Sequence, residues 1–71
     1  MNLKLEKQSI GENVRGYRKK RGLEQKEVAM LTGLSCPTIS NIELNKKVPS
    51  IKTLIKVSHA LKCKVTDLMQ Y

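Results

Sequence analysis

Apolar residues recur along this chain at helical spacing, and small polar residues and glycines punctuate them. Ser9-Ile10-Gly11-Glu12 has the S-x-x-E form of a capping box and predicts a helix start. Ile10, Val14 and Tyr17 follow at i, i+4 and i+7 on one face, while Arg15, Lys19 and Lys20 fall mostly off it. Gly22 suits the left-handed position that closes such a helix. A second helix is predicted over Gln25 to Thr32, with Val28, Ala29 and Leu31 apolar, Glu24 as N-cap and Glu27 at capping-box spacing. Gly33 ends it. Ser35 caps a third helix from Cys36 to about Leu44, with Pro37 in the first turn, where its missing N–H is harmless. Ile39 and Ile42 face its core side, and Asn45 tolerates a left-handed turn after it. Ser50 caps a fourth helix carrying Ile51, Leu54, Ile55, Val57, Ala60 and Leu61. Lys62-Cys63-Lys64 leads to a short fifth helix with Val65, Leu68 and Met69. Leu3-Lys4-Leu5 alternates but is too short for a strand. Short links between all five helices predict one compact all-α domain over residues 9–71, preceded by an arm of residues 1–8.

Composition narrows the function classes. A chain of 71 residues is one domain at most. With two Tyr and no Phe or Trp the core must be aliphatic, and aromatic platforms for stacking single-stranded bases are missing. Fourteen Lys and Arg against six Asp and Glu give a net +8, which favours a polyanion, nucleic acid first. No run approaches the ~18 apolar residues of a membrane span, and Met1–Gln8 lacks the apolar stretch of a secretory signal. Two cysteines, Cys36 and Cys63, make no disulfide framework, so a reducing, cytoplasmic setting is expected. No acidic cluster or histidine pair supports an enzyme. His59 and Cys63 stand i, i+4 on one helix, but two ligands fall short of a zinc site, so no metal and no cofactor is expected.

The second and third helices, joined by Gly33-Leu34-Ser35, have the helix-turn-helix form. Gly33 supplies the positive φ of the sharp turn. Val28, Ala29, Leu34, Ile39 and Ile42 would lock the pair, with Ala29 small at the closest approach, leaving the outer face of the third helix free for a major groove. From Ile10 to Met69 the chain resembles the Cro/phage-repressor-type helix-turn-helix family of bacterial and phage transcription regulators. The matching elements are Arg18, Leu23-x-Gln25-x-x-Val28-Ala29, Gly33-Leu34-Ser35, Thr38-Ile39-Ser40-x-Ile42-Glu43, Pro49-Ser50, Leu54 and Ala60-Leu61. The resemblance implies a five-helix lambda-repressor-like domain that binds double-stranded DNA as a homodimer on pseudo-palindromic operators.

It also implies roles. Gln25 opens the second helix where the family's glutamine bonds a phosphate, and helix N-termini offer free N–H groups to that anion. Cys36, Pro37, Thr38, Ser40 and Asn41 occupy groove-facing positions; Asn can pair bidentately with adenine, and Thr or Ser can bond a base edge or touch a thymine methyl. Asn45, Lys46 and Lys47, with Lys52, are placed to touch the backbone. Arg18 and Glu43 match an ion pair bridging the first helix to the end of the third. Leu44-Asn45, Lys62 and Lys64 depart from the family's usual polar residue and glycines or N-cap. Cys63 falls on a usually buried position. Cys36 sits at a helix N-terminus near the groove-facing surface, where a redox control of DNA binding competes with a neutral groove-facing role.

Residues 24–43 hold one Lys against three Glu, whereas residues 46–64 hold six Lys and no acid. The third helix has no Arg or Lys, so the commonest contact to guanine is missing from it. Readout by A·T-type and methyl contacts plus shape is expected, with flanking lysines supplying affinity. One small reading unit touches few base pairs, so a dimer is expected, its surface drawn from Val65, Leu68, Met69 and Tyr71 with help from the fourth helix. The rival reading is an antitoxin or protein-interaction module of the same fold.

Overall fold

The computed structural model describes residues 9–70; the predicted arm of residues 1–8 and the dimer candidate Tyr71 lie outside it. Five helices follow in order: α1 (Ile10–Lys20), α2 (Gln25–Thr32), α3 (Cys36–Glu43), α4 (Ile51–Leu61) and α5 (Val65–Leu68). No strand occurs among the described residues.

Local chemistry sets most of these boundaries. At α1 the Ser9 hydroxyl accepts the Glu12 N–H at 3.1 Å while the Glu12 carboxylate accepts the Ser9 N–H at 3.0 Å. At α2 the Glu27 carboxylate accepts the Glu24 N–H at 2.7 Å. Ser35 and Ser50 accept N–H groups of Thr38 and Thr53 at 3.1 and 3.2 Å, starting α3 and α4. At α5 no serine is present, and Asp67 reaches back to the Lys64 N–H at 3.0 Å. Gly33 takes φ +75° after α2, and Asn45 takes φ +61° as expected. α3 closes one residue before the expected Leu44, which serves as its C-cap. Lys62 ends α4 in the left-handed region at φ +56°, where the family's glycine would be unstrained.

The core is aliphatic throughout: Val14, Val28, Ala29, Ile39, Ile42, Leu54, Val57, Leu61 and Leu68, with Tyr17 packed against its edge. Four apolar positions of the predicted helices, Leu31, Ile51, Ile55 and Met69, instead stand at the surface. α1 packs against α3, α4 and α5, and its polar residues close the ends of other elements. The buried Asn13 amide donates to the carbonyls of Leu68 and Gln70 at 2.8 and 2.7 Å, holding the end of α5. Arg21 donates to the carbonyls of Leu61 and Lys62 at 2.8 and 3.1 Å, holding the end of α4. Helix-end carbonyls have no partners of their own, so these donors replace water. Asn13→Ala strands the Leu68 carbonyl in a buried place and is expected to cost about 1–3 kcal/mol, read as a lower urea midpoint with an unchanged slope.

Candidate nucleic-acid interface

α2, the Gly33 turn and α3 form one rigid corner. Val28, Ile39 and Ile42 are fully buried between the two helices and the rest of the core, and Leu34 covers the turn. The Gly33 and Leu34 N–H groups both return to the Ala29 carbonyl, at 2.9 and 3.1 Å, and the Thr32 hydroxyl returns to Val28 at 2.7 Å. The turn is thereby satisfied from within, and the opposite face of α3 is left to the outside.

That face carries the residues expected from the sequence, with differences between them. Cys36 and Pro37 are exposed in the first turn; Thr38, Ser40 and Asn41 are half-buried. The Thr38 hydroxyl lies 2.7 Å from the Ser35 hydroxyl, so it shares in capping α3. The side chains of Ser40 and Asn41 have no hydrogen-bond partner among the described residues. They are uncharged polar groups awaiting partners from outside.

The expected ion pair is present and bidentate. Arg18 donates from Nε to Glu43 Oε2 at 2.6 Å and from Nη2 to Oε1 at 3.0 Å, and from Nη1 to the Leu23 carbonyl at 2.9 Å. The Glu43 side chain is 3% exposed and that of Arg18 12%. The Glu43 hydrogen bond pushes the guanidinium above its already high ordinary pKa, against the opposing effect of burial. Gln25, half-buried at the start of α2, donates from Nε2 to Glu43 Oε1 at 3.0 Å. The structure thus joins Gln25, expected at a phosphate, to the Arg18–Glu43 pair expected within the fold.

Asn45 differs from expectation. Its Oδ1 accepts the Gly11 N–H at 3.1 Å and its Nδ2 donates to Ser9 Oγ at 2.8 Å. Its side chain ties the loop after α3 to the start of α1, a structural role the sequence did not suggest, and its own N–H is held by the Ile42 carbonyl at 3.1 Å. Lys46, Lys47 and Lys52 are exposed and form no ion pair among the described residues. Gly11 went unnoticed as a contact residue in the sequence. It is buried where α1 meets the end of α3, and the available signal was a glycine inside a helical turn, which is costly unless space demands it.

Leu68, expected at a dimer surface, is fully buried in the core of its own chain and has no surface to offer a partner. Val65 is half-buried against that core, and Met69 is exposed. Cys63 also packs against the core, where burial pushes its thiol pKa up, the environment of an inert side chain. Among the described residues no group of three or more His, Cys, Asp or Glu could hold a metal ion, and no helix is long and apolar enough to cross a membrane.

Comparison with known proteins places these features in context. A family model described as helix-turn-helix matches residues 14–68. The control protein C.SmaI of Serratia marcescens is 33% identical over 63 residues, covering 89% of this chain and 75% of that protein. The P22 c2 repressor, solved in complex with a synthetic operator, superposes with a TM-score of 0.81 at 33% identity over 86% of this chain and 92% of that one. SinR of Bacillus subtilis, a master regulator for biofilm formation solved in complex with DNA, superposes with a TM-score of 0.80 at 38% identity over 84% and 97%.

Proposed function

From the premise that this chain belongs to the Cro/C1-type helix-turn-helix family, whose members are DNA-binding transcription regulators and not enzymes, we infer that it binds double-stranded DNA in the cytoplasm as a homodimeric regulator. α3 enters the major groove. The observation that carries this reading is the outer face of α3: uncharged Ser40 and Asn41, whose side chains have no hydrogen-bond partner among the described residues, stand on a rigid corner next to the exposed cations Lys46 and Lys47, with Lys52 exposed in the first turn of α4. Gln25 at the start of α2 bonds a phosphate, the lysines hold the backbone, and Cys36, Pro37, Thr38, Ser40 and Asn41 meet the bases.

Two copies are needed because one α3 spans few base pairs; half-sites then lie about one helical turn apart. Surface apolar residues support a dimer. Ile51 and Ile55 stand i, i+4 on α4 at 59% and 41% exposure, and Val48 just before them is 84% exposed. With Val65 and Met69 they revise the dimer surface toward the loop before α4, in place of the buried Leu68.

Selection of bound duplexes from a random pool at two salt concentrations tests the function. A pseudo-palindrome poor in guanine under α3, bound with a steep fall in affinity as salt rises, is the expected result. Recovery of no preferred sequence would overturn the regulator reading. Gln25→Ala is expected to weaken all duplexes alike. Asn41→Ala should relax preference at one position per half-site, by about 1–3 kcal/mol there, measured by competition with single-base variants.

A further inference from the structure

Glu43 receives more donors than its charge requires. Arg18 alone neutralises it and meets both of its oxygens, at 2.6 and 3.0 Å. The third donor, Gln25 Nε2 at 3.0 Å, therefore adds little to Glu43 but fixes a great deal at Gln25. A glutamine amide presents an acceptor oxygen on one side and an NH₂ on the other, and a half turn of its last torsion exchanges them. A carboxylate accepts and does not donate. It admits the Gln25 amide in one sense only, with NH₂ turned toward Glu43, one N–H engaged and the second left for an acceptor outside. A free glutamine side chain at the surface would lose its rotamer freedom on gripping a ligand; this one is already held.

The same arrangement answers an electrostatic difficulty. An unpaired carboxylate beside a DNA phosphate would repel it. Glu43 is almost completely covered and is doubly bonded to Arg18, so it acts on Gln25 as an acceptor without presenting a free negative charge to the duplex.

The geometry points to Glu43 as a positioning residue for DNA-backbone contact: neutralised by Arg18, it sets the Gln25 amide with an N–H available to a phosphate. This rests on the reading that Gln25 touches a phosphate. Base sequence plays no part in the contact, so its test needs no operator. Affinity for a duplex of fixed mixed sequence at low ionic strength is measured for the parent, Gln25→Ala, Glu43→Gln and the double variant, at a temperature where melting curves show all four folded. The amide introduced by Glu43→Gln can turn an NH₂ toward Gln25 and favour the opposite sense of the Gln25 amide. Gln25→Ala is expected to weaken binding about tenfold, the scale of one hydrogen bond to a charged group. Glu43→Gln should weaken it about fivefold in the parent and less than about twofold in the Gln25→Ala background. Equal losses in both backgrounds would show that Glu43 acts through the fold alone and overturn the proposal while leaving the phosphate contact standing. No loss on Gln25→Ala would overturn the phosphate contact and the proposal with it. A measurement on the unaltered protein covers the case of a variant that fails to fold: the Gln25 side-chain ¹⁵N order parameter in free protein should approach that of rigid backbone, and a value below about 0.6 would equally overturn the proposal.

Discussion

Gly11→Ala will lose about 3 kcal/mol or more of stability, and the variant will melt far below its parent. An alanine Cβ at this position would meet the Ile42 carbonyl oxygen, Asn45 Oδ1 at 2.6 Å and the Glu43 carbonyl oxygen at 2.7 Å. Two of these atoms are backbone at the end of α3 and cannot step aside. The third can move only by releasing the Gly11 N–H and the Ser9 hydroxyl. Relief therefore requires α1 to lift from α3, opening a core with little in reserve, since a domain of this size is stable by roughly 4–10 kcal/mol in total. Gly16 provides the control within the same helix. A Cβ there meets nothing within 4 Å, so Gly16→Ala should stabilise the domain by about 0.5–1 kcal/mol through helix propensity. Urea denaturation of both variants checks the pair. A Gly11→Ala midpoint close to the parent's would refute the claim that α1 and α3 meet without room for a methyl group.

Removing either partner of the Arg18–Glu43 bridge is expected to cost about 3 kcal/mol. Glu43→Ala leaves a poorly exposed guanidinium with the Leu23 carbonyl as its remaining partner and leaves the Gln25 amide unbonded. Arg18→Ala leaves a carboxylate that is 3% exposed facing one neutral amide. The loss in each case is mainly that of stranding the remaining charge rather than the worth of the pair. Replacing both at once, as Arg18→Met with Glu43→Leu, should return stability to within about 1 kcal/mol of the parent, because no ion is then left buried and the apolar volume is kept. Thermal and urea melts of the three variants test this. A double replacement as unstable as the single ones would show that the bridge holds α1 to α3 in a way packing cannot replace.

Much of the fold was legible because helix starts are written locally. Ser9, Ser35 and Ser50 each bond an N–H three residues on, so the signal and its partner lie within one reading window. Glu24 with Glu27 works at the same spacing, and α2 begins and ends where the sequence placed it. The Arg18–Glu43 pair was reached through family resemblance, since 25 positions separate the partners and no local pattern joins them. Features lacking both aids were missed. Asn13 bonds carbonyls 55 and 57 positions away, and Asn45 reaches back 34 positions to Gly11. Nothing in their neighbours announces those partners. Periodicity likewise gave helix faces without saying which stripe wins the core: Leu68 is buried while Ile51 and Ile55, equally apolar, remain outside. The site divides in the same way. Groove-facing positions follow from the turn, but that Thr38 shares its hydroxyl with a cap and Gln25 is held by Glu43 depends on packing.

The polar residues on and around α1 have a consequence for how this small domain comes apart. Asn13 clasps the end of α5, Arg21 clasps the end of α4, and the first turn of α1 is itself clasped by Asn45 from the loop after α3. None of these three termini can fray without breaking a side-chain bond to a distant part of the fold. Partial opening is thereby penalised at each end, and the separate helices behave as one cooperative unit. Amide protons along α4 and the second half of α1 should then exchange with solvent at a common rate set by global unfolding, rather than in a gradient falling toward the chain ends.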